Sequence, residues 1–117
     1  MKFLVSLLLI VSFSIAQDDL AKGKDAFTKK SYDEALQLFQ KYLSANSRSA
    51  EANYYIGETY RLKGDLQNAQ ISLERSLDFD DEFEPALVSI IRVYGKLAQA
   101  GLLSGALRGR HGLGGNG

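Results

Sequence analysis

No cysteine occurs in the 117 residues, and that one absence removes disulfide frameworks, thiolate metal sites, thiol nucleophiles and an acylated amino-terminal cysteine of the lipoprotein kind. Histidine is nearly as scarce: the single copy, His111, stands in a glycine-rich stretch. Neither a His-centred catalytic triad nor a histidine metal cluster can be assembled from it, and it reads as a solvated tail side chain. Net charge is missing as well. Lys plus Arg and Asp plus Glu number 14 each, so no overall field draws in nucleic acid, acidic lipid or an anionic substrate, and any partner has to be recognised locally.

A long membrane-spanning run is also lacking. The first residues carry one positive charge, Lys2, then an apolar stretch from Phe3 to Ile15 diluted only by serines. Those 13 residues fall short of the ~20 that a spanning helix needs. Ser14-Ile15-Ala16 puts small residues at the two positions a signal peptidase reads, and Asp18-Asp19 ends the apolar run abruptly. The expectation is a signal peptide over 1–16, cleaved between Ala16 and Gln17, leaving 101 residues for one small domain and no stable membrane anchor. Export of a cysteine-free chain suits a bacterial periplasm or cell surface.

What is present is a period. Gly23 recurs as Gly57, Ala35 as Ala69, Phe39 as Leu73 and Tyr60 as Tyr94, each pair 34 residues apart. A period of that length describes a helix-turn-helix unit that cannot bury its apolar faces alone and must stack on its neighbours. In the first unit, Asp18 to about Lys29 reads as a helix with apolar Leu20 and Phe27 and small Gly23 and Ala26, the small residues allowing close approach of the paired helix. Tyr32, Ala35, Leu36, Phe39, Tyr42 and Leu43 then follow one helical face. Ser31-Tyr32-Asp33-Glu34 has the pattern of a capping box that would start this helix.

The second unit repeats the design. Ala50 to Lys63 is its first helix, Gly64 the stop and Asp65 the next cap, with Leu66, Ala69, Leu73 and Leu77 along its second helix. So tight a turn makes the two helices antiparallel neighbours. A third unit opens at Pro85, which suits a first helical turn. Its first helix, to about Ala100, is apolar on nearly every side through Leu87, Val88, Ile90, Ile91, Val93, Tyr94 and Leu97, with Ile91 where the earlier units have glycine. It expects cover on two faces. Yet Leu103 stands where alanine is expected, and seven of the last seventeen residues are glycine. The expectation for 101–117 is a disordered tail, and for 17–100 an all-α domain of five helices in about two and a half repeats. Either a partner or second copy covers the third helix, or the chain is a piece of a longer repeat protein.

The segment Tyr54-Tyr55-Ile56-Gly57-Glu58-Thr59-Tyr60, followed by Gly64 and Ala69, resembles the tetratricopeptide repeat family. Gly23, Tyr32, Ala35 and Phe39 before it and Pro85 and Tyr94 after it extend the likeness over residues 18 to about 100. The resemblance implies an antiparallel α-solenoid whose first helices line a concave groove for a peptide or protein. It puts Leu20, Lys24, Phe27, Glu51, Tyr54, Glu58, Arg61, Val88, Arg92 and Lys96 on or near that groove. Tyr54, Arg61 and Arg92 are the expected energetic contacts, since Tyr and Arg dominate interfaces. Some members of the family grip a terminal carboxylate with lysines, arginines and asparagines. Leu20, Tyr54, Tyr55 and Val88 on the corresponding faces do not make such a set, which counts against chaperone-tail recognition. The second unit also looks like repeats of bacterial envelope proteins.

Other chemistries are weaker. Adjacent carboxylates such as Asp33-Glu34 or Asp80-Asp81 point apart on a helix or stay hydrated in a turn, and no phosphate-cradling glycine loop precedes a helix. Asp80, Asp81, Glu82 and Glu84 lack the spacing and bending glycine of a calcium loop. Arg108-Gly109-Arg110 is a single arginine-glycine pair, too little for RNA binding. The expectation is a binding module without catalysis, cofactor, metal or nucleic acid, able to self-associate through its third helix.

Overall fold

The computed structural model describes residues 18–101, so the expected signal peptide and all of the expected tail but Gly101 lie outside the described residues. Helix α1 runs over 18–28, α2 over Tyr32–Ala45, α3 over Ala50–Lys63, α4 over Leu66–Phe79 and α5 over Glu84–Gln99. No strand occurs among the described residues, and none of their helices is long and apolar enough to cross a membrane. Successive helices pack on one another, and α3 also touches α5. This is an all-α helical repeat.

Turn chemistry sets the repeat. At the end of α1, Lys30 takes a left-handed conformation (φ 63°), its N–H donating to Phe27 O and that of Ser31 to Ala26 O. At the end of α3, 34 residues on, Gly64 does the same at φ 86°, with Gly64 N–H to Arg61 O and Asp65 N–H to Tyr60 O. These are two copies of one Schellman closure, which reverses the chain and pairs the orphan carbonyls of the helix end. The expected capping box is absent: Ser31 makes no side-chain cap bond, and its N–H is taken up in the closure of α1. Asp65 does cap α4, accepting from Asn68 N at 3.2 Å, and Ser49 caps α3, accepting from Ala52 N at 3.1 Å. Pro85 lies in the first turn of α5.

A lysine in the left-handed region carries a penalty that glycine does not. Lys30→Gly is therefore expected to raise stability by about 0.5–1 kcal/mol, the relief being partly offset by greater freedom of the unfolded chain. The shift in urea midpoint at constant slope checks it.

The core repeats in the same register. Ala35 and Ala69 are fully buried; so are Ala52 and Ala86, while Ile56 and Ile90 are alike buried at 5% exposure. A methyl group on Gly23 would come 2.5 Å from the ring of Phe39, and one on Gly57 would come 2.6 Å from Leu73 Cγ. Each glycine thus receives the large residue of the following helix, the close approach expected of these positions. Ser76, fully buried, donates to Ala50 O at 2.7 Å and ties α4 to the first turn of α3. Tyr94 donates to Glu74 Oε1 at 2.8 Å, binding α5 to α4; burial and this carboxylate push its phenol up to about 12.

In α5 the likeness to α3 is kept on one side and lost on the other. Ile90 and Val93 are buried like their counterparts Ile56 and Thr59, but Leu87 is 39% and Ile91 69% exposed where Asn53 and Gly57 are buried. The cover that α4 gives α3 has no equivalent over α5 among the described residues.

Candidate functional site

Helices α1, α3 and α5 lie side by side and form one face, held by side chains that reach between first helices of successive pairs. Phe27 meets Tyr55 edge-on, ring centres 5.6 Å apart, and Lys24 ion-pairs with Glu51 while its ammonium lies 5.3 Å from the Tyr55 ring centre. Tyr55 stacks on Phe39 at 5.4 Å, so it belongs to the α1–α2 core side of α3. Tyr54 turns the other way and presents its ring edge-on to Phe83 at 5.6 Å. Two adjacent tyrosines on one helix thereby serve two different junctions.

At the α3–α5 junction Glu58 is buried at 6% exposure, an expensive place for a carboxylate unless it is paired. Arg61 pairs it through two bonds, Nε to Oε1 at 3.0 Å and Nη2 to Oε2 at 2.9 Å. Burial pushes the Glu58 carboxyl up, but hydrogen bonds from Arg61 and Ser89 and the charges of Arg61 and Arg92 hold it, on balance, below the usual carboxylate range. Burial likewise pushes the Tyr54 phenol up. Glu58 is thus the anchor that orients Arg61 toward the open face.

The sign of the Glu58 shift gives a pH dependence. Its folded value lies below the ordinary 4.5, so its contribution is complete above pH 4.5 and is lost as the pH falls through the folded value. Glu58→Gln is expected to lower stability at pH 7 and to flatten the part of the acid limb below pH 4.5 that the native chain shows. Urea titrations near neutral pH and on either side of the ordinary carboxylate range would reveal it; parallel limbs in the two proteins would exclude the assignment.

The expected groove residues separate into three kinds. Leu20 is drawn into the core at 7% exposure and offers nothing to a ligand; Phe27 is half-buried against the same cluster. Lys24, Glu51, Glu58 and Arg61 are spent on each other in two ion pairs. Tyr54 is half-buried, Val88, Arg92 and Lys96 are exposed, and among the described residues Arg92 and Lys96 form no ion pair. Arg61, Arg92 and Lys96 converge with Gly95 and Gln99 on one recess of about 290 Å³. The three cations come from two helices and are not visible as a cluster in the sequence. Ser89 is absent from the expected set, although a lone small polar side chain between Val88 and Ile90 is the available signal.

A larger recess of about 430 Å³ lies at the α2–α3 turn, lined by Tyr42, Asn46, Ser47, Arg48 and Ser49. Its polar groups are largely committed to the turn: Asn46 Nδ2 donates to Tyr42 O at 3.3 Å, and Ser49 caps α3. Arg48 lies 5.8 Å from the Phe79 ring centre. The smaller recess, with unspent charge, is the better candidate for binding. No group of three His, Cys, Asp or Glu that could hold a metal occurs among the described residues, and Asp33, Glu34, Asp80 and Asp81 are all exposed. No protein-family model matches the chain, and no curated protein matches it.

Proposed function

We propose that this chain is an exported, non-catalytic interaction module of the tetratricopeptide repeat type, acting in a bacterial cell envelope. Its α1–α3–α5 face binds an extended peptide or protein segment, and an acidic stretch of that segment lies against α5. The observation that carries this reading is the uneven use of charge along the face. Lys24 and Glu51 cancel at the α1 end and Glu58 cancels Arg61 in the middle, while Arg92 and Lys96 stay unpaired at the α5 end beside the oriented Arg61. Desolvated contacts to arginine and the half-exposed Tyr54 would supply most of the affinity, and the exposed ammonium of Lys96 mostly the rate and salt dependence.

Export rests on Lys2, the apolar run and Ser14-Ile15-Ala16. Two measurements test the two halves of the proposal. Mass spectrometry of the chain recovered from a bacterial envelope fraction should find an amino terminus at Gln17. Fluorescence anisotropy with an extended acidic peptide should show binding that weakens at least tenfold in Arg92→Glu and hardly changes in Arg48→Glu. Equal affinity for the peptide and for its Asn/Gln analogue would sink the acidic assignment.

A further inference from the structure

An exposed apolar line along α5, which borders the recess at Gly95, supports a second inference. Leu87, Val88 and Ile91 are 39%, 43% and 69% exposed, and one helical line through them continues to Gly95 and Ala98. The line starts at Glu84 and carries no other charge. In the two complete pairs the counterpart of Ile91 is a glycine that receives Phe39 or Leu73. With isoleucine there, the next helix cannot approach in the same way, because even a methyl group on Gly57 would meet Leu73 Cγ at 2.6 Å. Past α5, Gly101 has φ 80°, the counterpart of the Asp65 cap 34 residues on is Gln99, and six of residues 102–117 are glycine. That composition is poor in helix formers and in the caps that start a helix.

We propose that this face is covered by the same helix of a second copy of the chain, antiparallel about a twofold axis at Ile91. The register follows from size and charge. Four residues before Ile91 is Leu87 and four after it is Gly95, so the twofold sets Leu87 of each copy over the partner's Gly95. A methyl group on Gly95 would touch nothing within 4 Å, leaving a notch for the incoming leucine. The fold already uses this pairing of a large side chain on a glycine at Gly23 and Gly57. Seven residues out, Glu84 of one copy comes opposite the partner's Ala98, so that the two Glu84 carboxylates stay at opposite ends of the contact. Arg92 flanks the axis in both copies, and its repulsion across it keeps the pair weak. The contact is one helix of 16 residues, about 24 Å long, well short of the ~800 Å² per partner of a standard interface. A reversible dimer with a Kd on the order of 0.1 mM is the expected strength.

Because the chain has no cysteine of its own, one introduced thiol reports the register. Ile91→Cys replaces a side chain exposed enough to leave the monomer intact and should form an interchain disulfide under mild oxidation, whereas Leu62→Cys, on an exposed part of α3, should not. Adding Gly95→Leu to Ile91→Cys fills the notch and should cut cross-linking at least fivefold. Sedimentation equilibrium of the unaltered chain should show a concentration-dependent mass, and Ile91→Lys should weaken association at least tenfold. A chain that stays monomeric at about ten times the expected Kd, with the Ile91→Cys variant cross-linking no faster than Leu62→Cys, overturns the proposal. So does a monomeric Ile91→Cys variant whose thiol is shielded from maleimide, which would mean that residues 102–117 cover the face instead.

Discussion

Phe39→Ala is expected to lower stability by about 3–5 kcal/mol. Phe39 is fully buried, stacks on Tyr55 and fills the approach that Gly23 leaves open, so its loss empties the space between α1, α2 and α3 at once. Residues 18–101 are few enough that a total stability of about 4–13 kcal/mol is ordinary, and this one change removes a large part of it. Phe39→Leu is the informative companion. Leucine serves against glycine at the equivalent place in the next pair, as Leu73 against Gly57, and should recover more than half of the loss. Urea unfolding followed by far-ultraviolet circular dichroism measures both; an alanine variant within about 1 kcal/mol of the native chain would contradict the packing described.

The second large effect is at Leu73, also fully buried. Leu73→Ala is expected to cost about 2–5 kcal/mol on its own. Gly57→Ala alone sets two effects against each other. Alanine gains about 1 kcal/mol of helix propensity. Its methyl, however, would lie 2.6 Å from Leu73 Cγ and 3.2 Å from Ala69 O, which forces the helices apart at a cost of about 1–3 kcal/mol. Once Leu73 is replaced by alanine the main clash is gone and the methyl occupies part of the cavity. Gly57→Ala should then be neutral or stabilising, so the two changes fall short of additivity by about 1–3 kcal/mol. Additive costs would show that Gly57 is not the seat of Leu73.

The helices are legible in the sequence because their signals are local and repeated. Gly64, Asp65 and Pro85 mark boundaries by their own backbone chemistry, and the 34-residue recurrence of Gly23 and Ala35 fixes which faces meet. The start of α2 stands where the capping pattern puts it, but for a different reason. Ser31 and Glu34 have the spacing of a capping box, yet the boundary comes from the left-handed Lys30, a conformation that lysine seldom adopts and that spacing therefore does not announce. The site is legible as a set of candidate positions only. Whether Lys24, Arg61 or Arg92 is free depends on which carboxylate lies next to it once the helices have packed, and Glu51 and Glu58 settle that through contacts that spacing alone does not rank.

The side-chain bonds that join the helices also bear on how fast the chain folds. Ser76 to Ala50 spans 26 positions, Tyr94 to Glu74 spans 20, and the ion pair of Lys63 with Asp33 spans 30, so each closes within less than one repeat. A chain whose stabilising contacts are this local closes only short loops before they are made, and such helical proteins fold in microseconds to milliseconds. The same locality lets α5 open while α1 to α3 remain closed, because nothing from α1 or α2 reaches it in any hydrogen bond or ion pair among the described residues. Amide exchange should accordingly be fastest in α5 and slowest around Ala52 and Ile56, and it should slow in α5 first when a ligand occupies Arg92.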